Sequence, residues 1–255
     1  MKLKELLFLI DNTAKENKLS KPYLVGGIVR DVAMKRFKEV KDVDITCGDA
    51  NSDKLGQAVL SKISTATYTK FSDGHGCLNL QDMNVDFSNN FNIININDEL
   101  SKIGINKPNS MEKELYSRDF YINTLLMPLD LSKIYDLTSK GMSDILSKTI
   151  DTCLEPNITF LSDPRRVARV IYLGAKLEFT PSKRVIDWIR KNTFIVSKID
   201  KKYVTDKITK AMKVNSKYAF ELIDMLGMKQ YIPNNEIYND YVTSNPEILY
   251  RSLNG

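Results

Sequence analysis

Two aspartates at alternate positions, Asp42 and Asp44, are the residues whose type and spacing most directly suggest catalysis. On a β-strand such side chains point to one face, about 7 Å apart. Carboxylate oxygens suit Mg²⁺, which binds one or two of them together with substrate phosphates. Asp86, between the apolar Val85 and Phe87, would add a third carboxylate if it lay on a neighbouring strand. The alternatives are a solvated turn for the Asp-x-Asp pair and a surface position for Asp86.

A second candidate site is the glycine pair Gly26-Gly27, which follows the apolar run 23–25 and precedes Arg30. A strand that ends in glycines and opens a helix brings backbone N–H groups and a helix N-terminus together, an arrangement that binds phosphate. Arg30 would add a bidentate contact to the same phosphate. A plain strand–turn–helix connection is the alternative.

Apolar periodicity and turn residues predict the elements that must position these side chains. The predicted elements are an opening amphipathic helix at 3–14, strands at 23–25 and 43–46, a short helix at 28–36, a helical face at 55–63 and a hairpin of 77–80 with 83–87. The Asn-rich stretch 88–111 is predicted to be a loop. Helical spacing dominates from residue 163 onward. We therefore expect an α+β fold, with a mixed-sheet domain at 1–150 and an all-α domain at 151–255.

The composition excludes several classes of protein. Basic residues number 37 and acidic residues 32 among 255, and this net charge of +5 permits a nucleic-acid partner without requiring one. Three cysteines without a CxxC pair, and a single histidine, argue against a disulfide framework and a zinc site. No apolar run approaches the ~18 residues of a membrane span, and the N-terminus lacks a signal-peptide pattern. We expect a cytoplasmic protein with no membrane partner.

Five segments, in order, resemble the motifs of one enzyme family. The string LVGGIVRDVAMKRFKEVKDVDIT at 24–46 resembles the first motif of class II tRNA nucleotidyltransferases and bacterial poly(A) polymerases, within the nucleotidyltransferase superfamily. Residues 74–78 resemble the short His-Gly-Thr strand of CCA-adding members, and 117–125 resemble their Arg-Arg-Asp-Phe-Thr-Ile-Asn-Ala motif. Residues 136–145 resemble the Asp…Gly…Asp-Leu motif that follows, and 162–169 the Glu-Asp-x-x-Arg-x-x-Arg helix.

The resemblance implies a role for each matching residue. Asp42 and Asp44 would hold two Mg²⁺ ions, with Asp86 as a further catalytic carboxylate. Residues implied in nucleotide binding are Gly26, Gly27 and Arg30 on the triphosphate, Arg118, Asp119 and Asn123 on phosphate and ribose, Asp163 and Arg166 on the edge of the base, and Arg169. For Asp163-Pro164 a helix N-cap followed by proline at the first helical position is an additional reading. His75 is expected to be structural, since the implied reaction needs no imidazole base.

The implied activity is template-independent transfer of nucleotides from CTP and ATP to an RNA 3′ end with release of pyrophosphate. Addition or repair of the tRNA CCA end is favoured. The alternatives are poly(A) addition, addition of CC or A only, and a toxin-like transferase with another acceptor. A non-catalytic RNA-binding protein is disfavoured because Asp42, Asp44 and Arg118 are all intact.

Four departures from the family pattern, together with the length of the chain, bear on this expectation. Ser162 stands where the family has glutamate, and Ser117 where it has the first arginine of its motif. The arginine that usually follows the third-carboxylate strand is absent from 86–90, and the family's Arg-x-x-Glu helix is matched at best by 207–210. The length leads us to expect a compact version that lacks most of the tRNA-gripping body and tail. Nucleotide binding is therefore better supported than complete CCA addition.

Overall fold

A mixed sheet of six strands carries the carboxylates and the glycine pair. The computed structural model describes residues 1–36, 40–71, 75–88 and 93–231. The strands are β1 (Tyr23–Val25), β2 (Asp42–Thr46), β3 (Thr67–Lys70), β4 (Gly76–Asn79), β5 (Asn84–Phe87) and β6 (Leu126–Pro128). Their order across the sheet is β3-β4-β5-β2-β1-β6. Neighbouring strands are antiparallel except β2 and β5, which are parallel.

The two faces of this sheet differ in polarity because side chains alternate along each strand. Val43 and Ile45 on β2, and Val85 and Phe87 on β5, are completely buried on one face. The carboxylates between them point to the other face. Hydrophobic burial therefore fixes the register that presents the acidic residues together.

Helices surround the sheet in the first part of the chain. They are α1 (Leu3–Glu16), α2 (Gly27–Ala33), α3 (Asn51–Leu60), α4 (Ile96–Lys102), α5 (Ser110–Tyr116) and α6 (Gly141–Leu146), with a 3₁₀ turn at Tyr121–Asn123. α1 packs against α3 through a stripe that includes the fully buried Ile10. Burial of this apolar stripe is what makes the amphipathic pattern of α1 fold as a helix here.

Up to residue 231, where the described residues end, the second part of the chain is helical apart from one short strand pair. Its helices are α7 (Pro156–Ser162), α8 (Arg165–Leu177), α9 (Lys183–Lys191), α10 (Lys201–Val214) and α11 (Ser216–Met225), with 3₁₀ turns at Thr193–Lys198 and Lys229–Tyr231. α8 packs against both α10 and α11. The two-residue strands β7 (Thr149–Ile150) and β8 (Thr180–Pro181) pair in parallel.

The chain divides into two compact units. The first consists of Met1–Ser147 and Thr152–Leu154, and the second of Lys148–Asp151 and Glu155–Gly255. The chain thus crosses from one unit to the other more than once near residue 150. No helix among the described residues is long and apolar enough to span a bilayer.

The expected α+β fold class is confirmed, as are the opening helix, the two predicted strands and the hairpin. Helix α2 is shorter than the helix predicted at 28–36, because it ends at Ala33. The loop predicted for 88–111 is wrong in part because α4 lies within it and α5 begins there. Gly74 of the His-Gly motif, and Asn89 and Asn90 after β5, lie outside the described residues.

Candidate active site

The parallel pairing of β2 with β5 places two of the three predicted carboxylates directly opposite each other. Asp44 is the register partner of Asp86, and Asp42 is the partner of Asn84. The amide of Asn84 donates to Oδ1 of Asp42 at 3.4 Å. Asp44 and Asp86 are half-buried, whereas Asp42 is exposed. Asp86 therefore lies beside Asp44 on one face of the sheet and is not an isolated surface residue.

Asp42, Asp44 and Asp86 together form an acidic row on one face of the sheet. The turn after β1 meets this acidic row at Gly26. Its φ of 75° and ψ of −141° lie in a region that residues with a β-carbon rarely adopt. A β-carbon at Gly26 would lie 2.5 Å from Oδ2 of Asp44 and 3.4 Å from Nη1 of Arg118. The carboxylate and the guanidinium thus both approach the bare backbone of the turn, which explains why glycine stands there.

The donor set of this row suits Mg²⁺. Asp42 and Asp44 supply only oxygens, and Gly26 lets the Asp44 carboxylate come close to the backbone of the turn. Among the described residues, no three carboxylate, thiol or imidazole side chains are grouped closely enough to hold a metal ion by themselves. An ion here would therefore need further oxygens from a substrate phosphate or from water, as is usual for Mg²⁺.

Cys77 on β4 extends the row on the far side of Asp86, and sequence reasoning assigned it no function. The two residues are register partners. Burial, reinforced by a hydrogen bond to Asp86 and by its negative charge, raises the pKa of the Cys77 thiol to about 12. The thiol is therefore neutral at physiological pH, and it adds no charge to the row.

A buried hydrogen-bond chain links α2 to the segment after α5. Nη1 of Arg30 donates to Oδ1 of Asn123 at 2.7 Å, and Nδ2 of Asn123 donates to Oδ1 of Asp119 at 2.9 Å. The other side of the Arg30 guanidinium donates to Oδ1 of Asp31 through Nε at 3.0 Å and Nη2 at 2.8 Å. Arg30 is only 3% exposed, so these partners fix its orientation.

Arg118 is held by a partner that sequence reasoning missed. Its Nη2 donates to Oε1 of Glu114 at 2.8 Å, and Glu114 is completely buried. The spacing of four residues was the signal available in the sequence, because such pairs meet on a helix surface. Within the described part of the chain, the buried Nε of Arg118 has no hydrogen-bond partner. A buried, unsatisfied guanidinium N–H beside Asp44 is a natural contact for an anionic ligand.

The Asp…Gly motif supports the turn that carries Asn123. Asp136 accepts from the backbone N–H of Met142 at 2.8 Å and from Oγ1 of Thr138 at 2.9 Å, which secures the start of α6. A β-carbon at Gly141 would lie 2.9 Å from the carbonyl oxygen of Tyr121. Glycine therefore allows α6 to pack closely on the turn that carries Asn123.

The remaining predicted residues lie at the start of α8 in the second unit. The carboxylate of Asp163 accepts from the side chain of Arg165, at 2.8 Å from Nε and 3.1 Å from Nη2. It also accepts from the backbone N–H of Arg165 at 3.1 Å, a capping contact. The helix begins at Arg165 with Pro164 at the N-cap, one residue later than expected. Arg166 is buried and Arg169 half-buried.

Comparison with known proteins places the chain in a family. The Poly A polymerase head domain family matches residues 22–151, about half of the chain. A tRNA nucleotidyltransferase of Schizosaccharomyces pombe is 25% identical over 255 residues, which cover 90% of this chain and 51% of that protein. The CCA-adding enzyme of Staphylococcus epidermidis is 27% identical over 225 residues, which cover 86% of this chain and 52% of that protein.

Solved structures show the same fold. The crystal structure of the Bacillus stearothermophilus CCA-adding enzyme in complex with CTP superposes with a TM-score of 0.69 at 22% identity, covering 92% of this chain and 55% of that one. A tRNA-processing enzyme in an apo form superposes with a TM-score of 0.70 at 21% identity, covering 99% of this chain and 65% of that one. The chain spans about half the length of the curated relatives it matches. By the match over residues 22–151, the chain belongs to the Poly A polymerase head domain family.

Proposed function

We propose that this protein transfers nucleotides from CTP and ATP to the 3′ end of an RNA and releases pyrophosphate. The observation that carries the proposal is the pairing of Asp44 with Asp86 above Gly26 and beside Arg118. Addition or repair of the tRNA CCA end is the favoured reaction. The names of the relatives support it, since they include CCA-adding enzymes and a tRNA nucleotidyltransferase.

The reaction is an in-line substitution at the α-phosphorus. The RNA 3′-oxygen gives its proton to solvent water and forms a bond to this phosphorus. The bond from the phosphorus to the bridging oxygen of the β-phosphate breaks, and pyrophosphate leaves. Mg²⁺, when bound, supplies charge neutralisation at the attacking and leaving oxygens. Asp42 and Asp44 would hold it, and Asp86 would add negative potential to the site. Since like charges held close together are costly, the row favours the binding of a cation.

The buried guanidinium groups fit the nucleotide. We assign Arg118 to a phosphate, because its Nε is unsatisfied among the described residues and its Nη1 approaches the turn at Gly26. Gly26 and Gly27 would offer backbone N–H groups to the triphosphate. Arg30 and Asp119 hold the amide of Asn123 from both sides, so that it can read a ribose hydroxyl.

Base selection is assigned to the second unit. Asp163 and Arg166 would present an acceptor and a donor pattern to the edge of the incoming base. The Arg165 side chain orients the Asp163 carboxylate. Arg169 on α8 would contribute a further positive charge to nucleotide binding. A cytoplasmic location is part of this proposal, because tRNA maturation would take place there.

The identity of the reaction is tested by the products. The protein is incubated with Mg²⁺ and CTP, ATP or both, on tRNAs ending at the discriminator base, at C or at CC, and on an unstructured RNA. Addition that stops at CCA is the expected result. Long A tracts would instead identify a poly(A) polymerase. An absence of transfer to every acceptor would contradict the proposal.

A further inference from the structure

The acidic row continues across the sheet beyond the carboxylates. Asp44 pairs with Asp86, Asp86 with Cys77, and Cys77 with Thr69 on β3. Directly paired residues in a sheet point to the same face. One polar face therefore runs from the candidate metal ligand to the edge strand of the sheet.

Two aromatic residues extend this face at the end of the β3–β4 pair. Phe71 follows Thr69 by two residues and His75 precedes Cys77 by two, so alternation places both on the polar side. The backbone N–H of Phe71 donates to the carbonyl oxygen of His75 at 2.9 Å, which continues the pairing. Their rings stack with centroids 4.3 Å apart and planes 14° from parallel. His75 lies two residues before Cys77, the partner of Asp86 on the neighbouring strand. Strand geometry therefore puts the backbone of His75 about 8 Å diagonally from that of Asp86.

Hydrogen bonds on the opposite face of the sheet hold strand β3 beneath this ring pair. Tyr68 and Lys70, which alternate with Thr69 on β3, donate to the carboxylate of Asp53 on α3 at 2.9 and 2.8 Å. A β-carbon at Gly76 would clash with the phenol oxygen of Tyr68, so glycine is required where the ring of Tyr68 lies. The strands that carry the two rings are therefore tied down on the opposite side of the sheet.

Phe71 nonetheless remains open to solvent. Its side chain is 42% exposed, although a phenylalanine contributes to stability mainly through burial. His75 already covers one ring face, so a flat aromatic group is the natural partner for the rest of the ring. A nucleobase has that shape, and aromatic side chains stack on bases without sequence preference.

We propose that Phe71 and His75 form a stacking platform for the terminal base of the RNA acceptor. The separation of the platform from Asp86 is comparable to the span of one nucleotide, so a base stacked there would hold its own 3′-hydroxyl toward the carboxylate row. This inference rests on the proposed function and adds the acceptor subsite to it. His75 acts through its ring face and not as an acid or base.

Equilibrium binding of two short RNAs tests the platform without relying on catalysis. One RNA ends in a normal nucleotide and the other in an abasic residue. The unmodified protein should bind the abasic RNA about 5- to 150-fold more weakly, the range that corresponds to loss of one base stack. The variant Phe71→Ala should bind both RNAs with the lower affinity, and Phe71→Trp should restore the preference.

Matched controls separate stacking from folding. Phe8→Ala on α1 removes a phenylalanine that is 69% exposed elsewhere in the same unit, and it should leave both affinities unchanged. His75→Phe keeps a flat ring and should keep the preference, whereas His75→Ala should reduce it. The KM for CTP should stay constant in the Phe71 and His75 variants.

Binding and transfer report on different claims. Equal binding of the two RNAs by the unmodified protein would overturn the platform, even if transfer is efficient. Loss of the same base preference in Phe8→Ala would overturn it as well. A base-dependent affinity without any nucleotide transfer would support the platform and contradict the proposed reaction.

Discussion

At the scale of single residues, the candidate site depends on close approaches that only particular side chains permit. The carboxylate of Asp44 lies over Gly26 because no β-carbon is present, and Arg118 approaches the same point. The Asp-x-Asp and Gly-Gly patterns predicted roles for Asp44 and Gly26, and the resemblance to the family predicted one for Arg118. They did not identify Glu114 as the partner of Arg118, because completely buried glutamates are rare and its burial is set by tertiary packing.

The substitution Gly26→Ala tests the close approach. It should reduce nucleotide transfer by about 10²-fold or more, because the new methyl group displaces the Asp44 carboxylate from its place at the turn. It should also lower the free energy of unfolding by about 1–3 kcal/mol through backbone strain. Steady-state transfer assays and chemical denaturation measure the two effects.

The matched control is Gly104→Ala. Gly104 also has a positive φ, of 88°, but a β-carbon there would meet nothing within 4 Å. This variant should be destabilised by strain and keep its activity. Equal activities of the two variants would show that the contact of Gly26 with Asp44 is dispensable.

At the scale of elements, apolar or strongly alternating patterns were predictable, and short polar ones were not. The opening helix and the 77–87 hairpin followed from periodicity. α4 and α5 have only seven residues each, too few to show a helical period in a polar stretch. The start of α5 did carry a signal, since Asn109 and Glu112 form a capping box. The edge strand β3 was not predicted, because its mostly exposed residues show little apolar alternation.

The contact between α3 and β3 should make stability depend on pH. Burial raises the pKa of Asp53, but hydrogen bonds from Lys70, Tyr68 and Gln57, with the Lys70 charge, outweigh it and lower the pKa below its ordinary value. A carboxyl group with a lowered folded-state pKa contributes stability above its unfolded pKa, and this contribution is lost as the pH falls through the folded value.

The variant Asp53→Asn removes the charge and keeps an acceptor for Tyr68. It should be less stable than the unmodified protein at pH 7 by less than about 1 kcal/mol, because the site is partly solvated. The difference should shrink below about pH 4. Chemical denaturation at pH 7 and pH 3 measures this difference. The control is Asp82→Asn, in the exposed turn between β4 and β5, whose stability difference should not depend on pH. A stability difference between Asp53→Asn and the unmodified protein that is the same at pH 7 and pH 3 would contradict a contribution from the charge of Asp53.

At the scale of the whole molecule, the chain combines a mixed-sheet unit with a helical unit. The α+β class followed from the change in periodicity along the sequence. The path of the chain near residue 150 could not be predicted from periodicity. Lys148–Asp151 belong to the second unit, and Thr152–Leu154 then belong to the first unit again. Thr152 bridges to Phe120, and the hydroxyl of Tyr121 donates to the carbonyl oxygen of Cys153 at 3.0 Å. These contacts form between residues about 30 positions apart in the chain, so local sequence patterns do not predict them.

Two fragments test the division of the chain. A fragment of residues 1–155 keeps the contacts of Thr152 and Cys153 with the first unit, whereas a fragment of residues 1–150 loses them. The longer fragment should have the higher Tm, by several degrees, because loss of a few hydrogen bonds costs about 1 kcal/mol each. Thermal unfolding followed by circular dichroism measures the difference. Equal Tm values would contradict the assignment of residues 152–154 to the first unit.

The most direct test of the proposed catalytic carboxylates is the single-turnover rate of nucleotide transfer by Asp44→Asn, with Mg²⁺, CTP and an acceptor tRNA. Asp82→Asn is the matched control, because Asp82 is an exposed carboxylate in the turn between β4 and β5, within the same unit. Asp44→Asn should fold normally and transfer at least about 10²-fold more slowly, whereas Asp82→Asn should retain full activity. Transfer by Asp44→Asn at the unmodified rate would contradict the catalytic role proposed for Asp44.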